Sequence, residues 1–155
     1  RPDASRAEVE AAARAVGAHE LFAGLPQGYD TVVGKRGGRL SSGQRQLVNL
    51  TRVFLRRPRI WLLDEPTASM DPQLEELVAE RVFGMRPKET TLVVVTHKLG
   101  MLKHFTRIVV VDKGRVLGDG PRDEMIARMK GAVAQAAPAY VAGKTPQTQH
   151  RAATA

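Results

Sequence analysis

Cysteine is missing altogether from these 155 residues, which excludes a disulfide framework, a Cys-ligated zinc site and thiol chemistry. Long apolar runs are missing too. The longest, residues 92–95 and 108–111, fall far short of the roughly 18 to 20 residues that cross a bilayer as a helix. No basic n-region with an apolar h-region opens the chain, and Arg1 rather than Met stands first, so it reads as a piece of a longer protein. Acidic residues vanish between positions 31 and 59, where Lys35, Arg36, Arg39, Arg45, Arg52, Arg56, Arg57 and Arg59 supply eight bases. That stretch equals the whole net charge of +8 and reads first as an anion-facing surface, with nucleic acid, a phosphate ligand, acidic lipid and a plain solvated face all open.

With 43% hydrophobic residues and 26% charged, the chain can bury a core. Ser5 with Glu8 three residues on is a capping-box pattern that predicts a helix over 5–16, with a further helical turn over 19–23. A Gly-containing loop follows over 24–39. From Ser42, Leu47, Leu50, Val53 and Phe54 recur at helical spacing until Pro58, giving an amphipathic helix with a basic outer side. Residues 60–63, 91–95 and 107–111 are short β-branched runs of the kind expected for parallel strands covered on both faces. Helical stretches over 72–83 and 99–105 separate them, so the order implies a layered α/β domain. Asp112-Lys113-Gly114-Arg115 reads as a hairpin turn, and 121–129 as a final helix with Pro first. From about residue 131 the chain lacks acids and periodicity and is expected to be a disordered tail.

Gly38-Arg39-Leu40-Ser41-Ser42-Gly43 has the glycine spacing of a P-loop. It lacks the Lys and hydroxyl residue that must follow to reach the phosphates and magnesium, because Gln44 and Arg45 stand there. A different anion site survives: Leu40, Ser41, Ser42, Gly43 and Gln44 open a helix, where free N–H groups, two hydroxyls and the helix dipole converge. An ordinary Ser N-cap is the plainer reading of the same residues. Ile60-Trp61-Leu62-Leu63-Asp64-Glu65-Pro66 is more specific. It places Asp64 at the carboxyl end of a buried strand and Glu65 just beyond, where ligands of open α/β sheets bind. An Asp so placed can hold a nucleotide's magnesium, and the adjacent Glu can act as general base, helped if desolvation raises its pKa. His97 leaves another predicted strand on the same sheet edge.

Taken in order, Leu40-Ser41-Ser42-Gly43-Gln44, Leu62-Leu63-Asp64-Glu65-Pro66-Thr67, Ser69-Met70-Asp71 and Thr96-His97 resemble the second half of an ABC transporter nucleotide-binding domain. The resemblance implies a P-loop NTPase-like α/β fold, incomplete here. Residues 1–58 would be part of the helical subdomain, 59–130 the Walker B strand to the C-terminal helix, and 131–155 the tail. It implies ATP and Mg2+ as cofactors, with Leu40, Ser41, Ser42, Gly43 and Gln44 as a signature motif acting on ATP of the opposite protomer. Asp64 would then be the magnesium residue, Glu65 the catalytic base, Ser69, Met70 and Asp71 the D-loop, and His97 the switch histidine. Walker A and Q-loop motifs would lie upstream of Arg1, leaving the chain inactive alone.

Residues 25–34 resemble ABC exporters with fused membrane and ATPase domains, although Lys35 stands where a Glu is usual. Thr96-His97-Lys98 and Asp119-Gly120-Pro121-Arg122-Asp123-Glu124 are most similar to type I secretion permease/ATPases. The partners so implied are a second ATPase domain, a transmembrane domain fused upstream, and a periplasmic adaptor with an outer-membrane channel, at the cytoplasmic face of the inner membrane. Two alternatives stay open: a nucleic-acid-associated ATPase or basic binding module, and a non-catalytic truncated remnant. Against nucleic acid, no aromatic interrupts the basic stretch between Tyr29 and Phe54.

Overall fold

The computed structural model describes residues 1–34 and 37–141, with side chains as far as Gly131. Lys35 and Arg36 lie outside the described residues, as do residues 142–155 of the expected tail. Two compact units divide between His104 and Phe105. The boundary expected near residue 58 does not separate them, because helices on both sides of it share one core.

In the first unit α1 (Arg6–Val16) starts as expected: Ser5 Oγ accepts from the Glu8 N–H, and the Glu8 carboxylate accepts from the Ser5 N–H. It stops at Gly17, whose φ of 85° is left-handed and whose N–H reaches back to the carbonyls of Ala13 and Arg14. Next come α2 (His19–Ala23), a 3-10 turn (Gly28–Asp30) and α3 (Ser42–Arg56). After α3 the chain runs through β1 (Ile60–Asp64), α4 (Pro72–Gly84), β2 (Thr91–Val95) and a 3-10 helix (Leu99–His104). Helix α1 packs on both α3 and α4, so Ala13, Val16, Leu47, Leu50, Val78 and Val82 bury one another. Trp61 lies beneath, edge-on to Phe54 with centroids 4.9 Å apart, and its Nε1 donates to the Pro58 carbonyl at 3.0 Å.

Strands β1 and β2 pair in parallel from Ile60↔Thr91 to Asp64↔Val95. Only one face of this pair is covered. Trp61 and Leu63 point into the core, whereas Ile60, Leu62, Val93 and Val95 are exposed, Leu62 at 75%. Cover on both faces was expected, and the described residues supply helices for one of them.

In the second unit the expected hairpin is present, whereas the third run has no parallel partner strand among the described residues. There β3 (Arg107–Asp112) pairs antiparallel with β4 (Arg115–Pro121) through a tight turn. Lys113 (φ 47°) and Gly114 (φ 74°) are both left-handed, the geometry of a two-residue hairpin turn. The turn returns the chain along β3 at once, so β4 takes that strand's hydrogen-bonding edge. The final helix α5 (Arg122–Val141) rests Met125 on Gly118 and Gly120 of β4. It runs past the expected end at residue 129 and includes residues 131–141, which were expected in the tail. The five alanines among them are strong helix formers, a local preference that the lack of acids and periodicity does not reveal. Among the described residues no helix is long and apolar enough to cross a membrane.

Candidate functional site

The N-terminus of α3 is built by its own sequence. Ser41 sits extended at the N-cap, its Oγ accepting from the Gln44 N–H (3.2 Å) while Gln44 Oε1 accepts from the Ser41 N–H (2.9 Å). The hydrogen bonds are those of the plainer reading, an N-cap. Ser41 is an ordinary cap, and the cap leaves the N–H groups of Ser42 and Gly43 as the free donors of the first turn. Leu40 is buried, and its carbonyl accepts from the Arg45 guanidinium at 2.6 Å. Ser42 stays exposed. Gly43 is buried because α3 lies directly on the 65–70 turn: a Cβ there would approach the Ser69 carbonyl oxygen to 2.8 Å.

Asp64 ends β1 on the open face of the sheet, and Glu65 follows with its backbone in the left-handed region, φ 42°. A non-glycine residue pays for that conformation with about 1 to 3 kcal/mol and keeps it only where the surroundings enforce it. Here they do. The Glu65 N–H donates to the Val95 carbonyl (2.9 Å), extending the β1–β2 pairing by one residue. Glu65 Oε1 accepts from the His97 N–H (2.9 Å) and His97 Nδ1 (2.6 Å), and Oε2 accepts from Thr96 Oγ1 (3.3 Å). An ionised carboxylate only accepts, so Nδ1 is the protonated nitrogen in this contact. The carboxyl ends of two neighbouring parallel strands thus bring Asp64, Glu65, Thr96 and His97 together.

Desolvation pushes the Glu65 pKa up, but the hydrogen bonds and charge of His97 and the Thr96 hydroxyl outweigh it, and the net shift is downward. The condition under which desolvation would raise the value for a general base is thus not met here. Burial is only partial, and the strand-end neighbours stabilise the ionised form.

Ser69 and Met70 continue the turn, Met70 buried and Ser69 exposed. Asp71 caps α4, accepting from the N–H groups of Gln73 (3.1 Å) and Leu74 (3.0 Å), with Pro72 in the first helical turn. Two residues to which the sequence reading gave no role also reach this turn. Gln46 donates through Nε2 to the Glu65 carbonyl and accepts at Oε1 from the Ser69 N–H, both at 3.2 Å. Lys98 donates to the Thr67 carbonyl at 3.0 Å and pairs with Glu75 at 2.5 Å. The available signal for Gln46 is its position: it lies one turn after Gly43 and beside Leu47, a polar group next to the buried face.

Among the described residues no group of three or more His, Asp or Glu side chains forms a metal cluster. Asp64 is a single exposed hard-oxygen donor, which fits a magnesium ion that keeps waters and shares its coordination with phosphate oxygens.

Comparison with known proteins gives the same assignment by three routes. The family model described as ABC transporter matches residues 3–68. A protein of Staphylococcus aureus (strain NCTC 8325 / PS 47), named for multidrug export as an ATP-binding/permease protein, is 41% identical over 128 residues, 83% of this chain and 22% of its own length. Its counterpart in the bovine strain RF122/ET3-1 is 40% identical over the same span. The solved structure of a bacterial Atm1-family ABC exporter with ATP bound superposes with a TM-score of 0.76 at 35% identity, covering 83% of this chain and 22% of that one. The chain thus spans about a fifth of the length of the relatives it matches.

Proposed function

Because the chain belongs to the ABC transporter ATP-binding domains and carries their C-terminal part, we propose that it forms the Walker B and signature portion of an ATPase module that powers export across a membrane. The observation that carries this reading is the Asp64, Glu65, Thr96 and His97 cluster at the ends of β1 and β2. In it Glu65, ionised and held from two sides, is the base that takes a proton from the water attacking the terminal phosphorus of ATP, with ADP as leaving group. His97, held through Nδ1, would donate from Nε2 to the terminal phosphate as the imidazolium, the form in which both ring nitrogens carry protons. Asp64 would hold magnesium, which supplies charge neutralisation at the phosphates. Leu40, Ser41, Ser42, Gly43 and Gln44 present the free N–H donors of α3 to ATP on a second ATPase domain, and Ser69, Met70 and Asp71 form the D-loop of that interface.

We assign the ATP-gripping half and a fused transmembrane domain to a longer protein, on the likeness to relatives named as ATP-binding/permease proteins of which this chain spans 22%. The module would then work at the cytoplasmic face of the membrane. A type I secretion-like exporter, with an adaptor and outer-membrane channel, is the finer reading, supported by the Thr96-His97-Lys98 and 119–124 sequences. In the full-length protein Glu65→Gln is expected to lower ATP turnover by about 10² to 10⁴ while ATP still binds. Wild-type turnover in that variant overturns the assignment. The isolated chain is expected to show no magnesium-dependent ATPase activity, and normal activity there would refute the division into two halves.

A further inference from the structure

The Glu65 backbone is strained, and the side chain that braces it from the signature helix is Gln46. One planar amide makes two hydrogen bonds, Nε2 to the Glu65 carbonyl and Oε1 from the Ser69 N–H, both at 3.2 Å, to residues four positions apart. The Glu65 carbonyl already accepts from the Ala68 N–H at 3.2 Å, so Gln46 adds a second donor to the very peptide that follows the left-handed residue. Because the two bonds need opposite ends of the amide, they also fix its orientation. The helix above cannot slide freely. Gly43, one turn earlier, has no room for a Cβ against Ser69, and Leu47, the next residue, is fully buried. The first turn of α3 and the 65–70 turn therefore move as one piece, with Gln46 as the polar link.

We propose that Gln46 is a positioning residue. It locks the signature end of α3 to the Glu65 turn and holds the Glu65 carboxylate where His97 and Thr96 meet it. This rests on Glu65 being the catalytic base, and it assigns to Gln46 an action through Glu65 rather than on the nucleotide. Lys98, bonded to the Thr67 carbonyl and paired with Glu75, braces the same turn from the β2 side and explains why loss of Gln46 need not unfold it.

The test uses the full-length transporter and three variants assayed beside the wild type. Gln46→Met keeps the length of the side chain and removes both hydrogen bonds. Gln46→Glu keeps the acceptor for Ser69 and loses the donor to Glu65. Glu65→Gln tests the underlying assignment. A positioning role lowers kcat about tenfold in Gln46→Met, which corresponds to about 1.4 kcal/mol, with KM for ATP within about twofold and an unchanged melting temperature. Gln46→Glu, which sets an anionic oxygen against the Glu65 carbonyl, loses at least as much kcat as Gln46→Met, and hydrogen exchange of the 66–71 peptide quickens in both. If kcat in Gln46→Met stays within about twofold of wild type while Glu65→Gln is inactive, the positioning role is wrong and the catalytic reading stands. A loss of kcat accompanied by an equal rise in KM or a lower melting temperature also overturns it, as a merely structural effect. Wild-type turnover in Glu65→Gln removes the reading on which it rests.

Discussion

At the N-terminus of α3 the ordering side-chain hydrogen bonds join residues three to five apart, Ser41 with Gln44 and Arg45 with Leu40. The 65–70 turn is held instead by side chains and backbone groups 19 to 32 positions away, from Gln46, Thr96, His97 and Lys98. The first arm of the site carries its instructions in six consecutive residues, Leu40 to Arg45, and adopts helical geometry. The second adopts a backbone that glutamate disfavours and depends on the β1–β2 pairing to keep it. A site assembled from one self-ordering arm and one dependent arm should lose the second first when the core is weakened.

Breaking the comparison at its root means removing Trp61, the largest fully buried side chain, which fixes β1 beneath Glu65. Trp61→Ala is expected to cost about 3 to 5 kcal/mol in chemical denaturation of the first unit's fold. The 65–70 turn should exchange amide hydrogens freely under conditions where residues 42–56 are still protected. Equal loss of protection in both arms would show that the cap depends on the core as well. Gly43→Ala strikes where the arms touch. The methyl would press on the Ser69 carbonyl, so α3 or the turn must shift, at about 1 to 3 kcal/mol. Thermal unfolding measures that cost, and an unchanged midpoint would mean the turn yields easily.

Ser41→Ala acts on the local arm alone. Loss of the cap is worth about 1 kcal/mol, whereas Ser41→Gly should recover most of it. Chemical shifts at His97 should not move in either variant. The smallest effect expected is a pH effect in the dependent arm. Because its partners lower the Glu65 pKa in the folded state, this carboxylate stabilises the fold fully above the ordinary glutamate value of about 4.3. That contribution is lost as pH falls through the lowered folded value. Glu65→Gln should therefore lower the neutral plateau by that contribution and flatten the acid limb between the ordinary glutamate value and the lowered folded one. A steeper acid limb would contradict the direction of the shift.

How much could be read in advance follows the same division. Ser5 with Glu8 and the serines that open the 42–56 helix announce two helix starts, because a cap is a local hydrogen-bond pattern written within three or four residues. Asp64, Glu65 and His97 were found because an acid or histidine after an apolar run marks a strand end. What those residues do to one another was not legible. Gln46 and Lys98 went unassigned, since a polar residue at a helical offset says nothing about a carbonyl 19 positions on. The 107–111 run resembles the other two strands in composition, yet it pairs antiparallel with β4, because apolar content records burial and not the partner.

The sequence by itself determined the helix boundaries set by caps, the short strands, the concentration of positive charge over 31–59 and the motif order that marks an ABC ATP-binding domain. Tertiary structure alone decided that Glu65 is left-handed with its pKa lowered, and that Nδ1 is the His97 nitrogen that meets its carboxylate. The reason is the range of the forces involved. Caps and turns close within a few bonds of chain, whereas pKa values, strain and exposure are set by whichever distant groups folding brings within hydrogen-bonding distance.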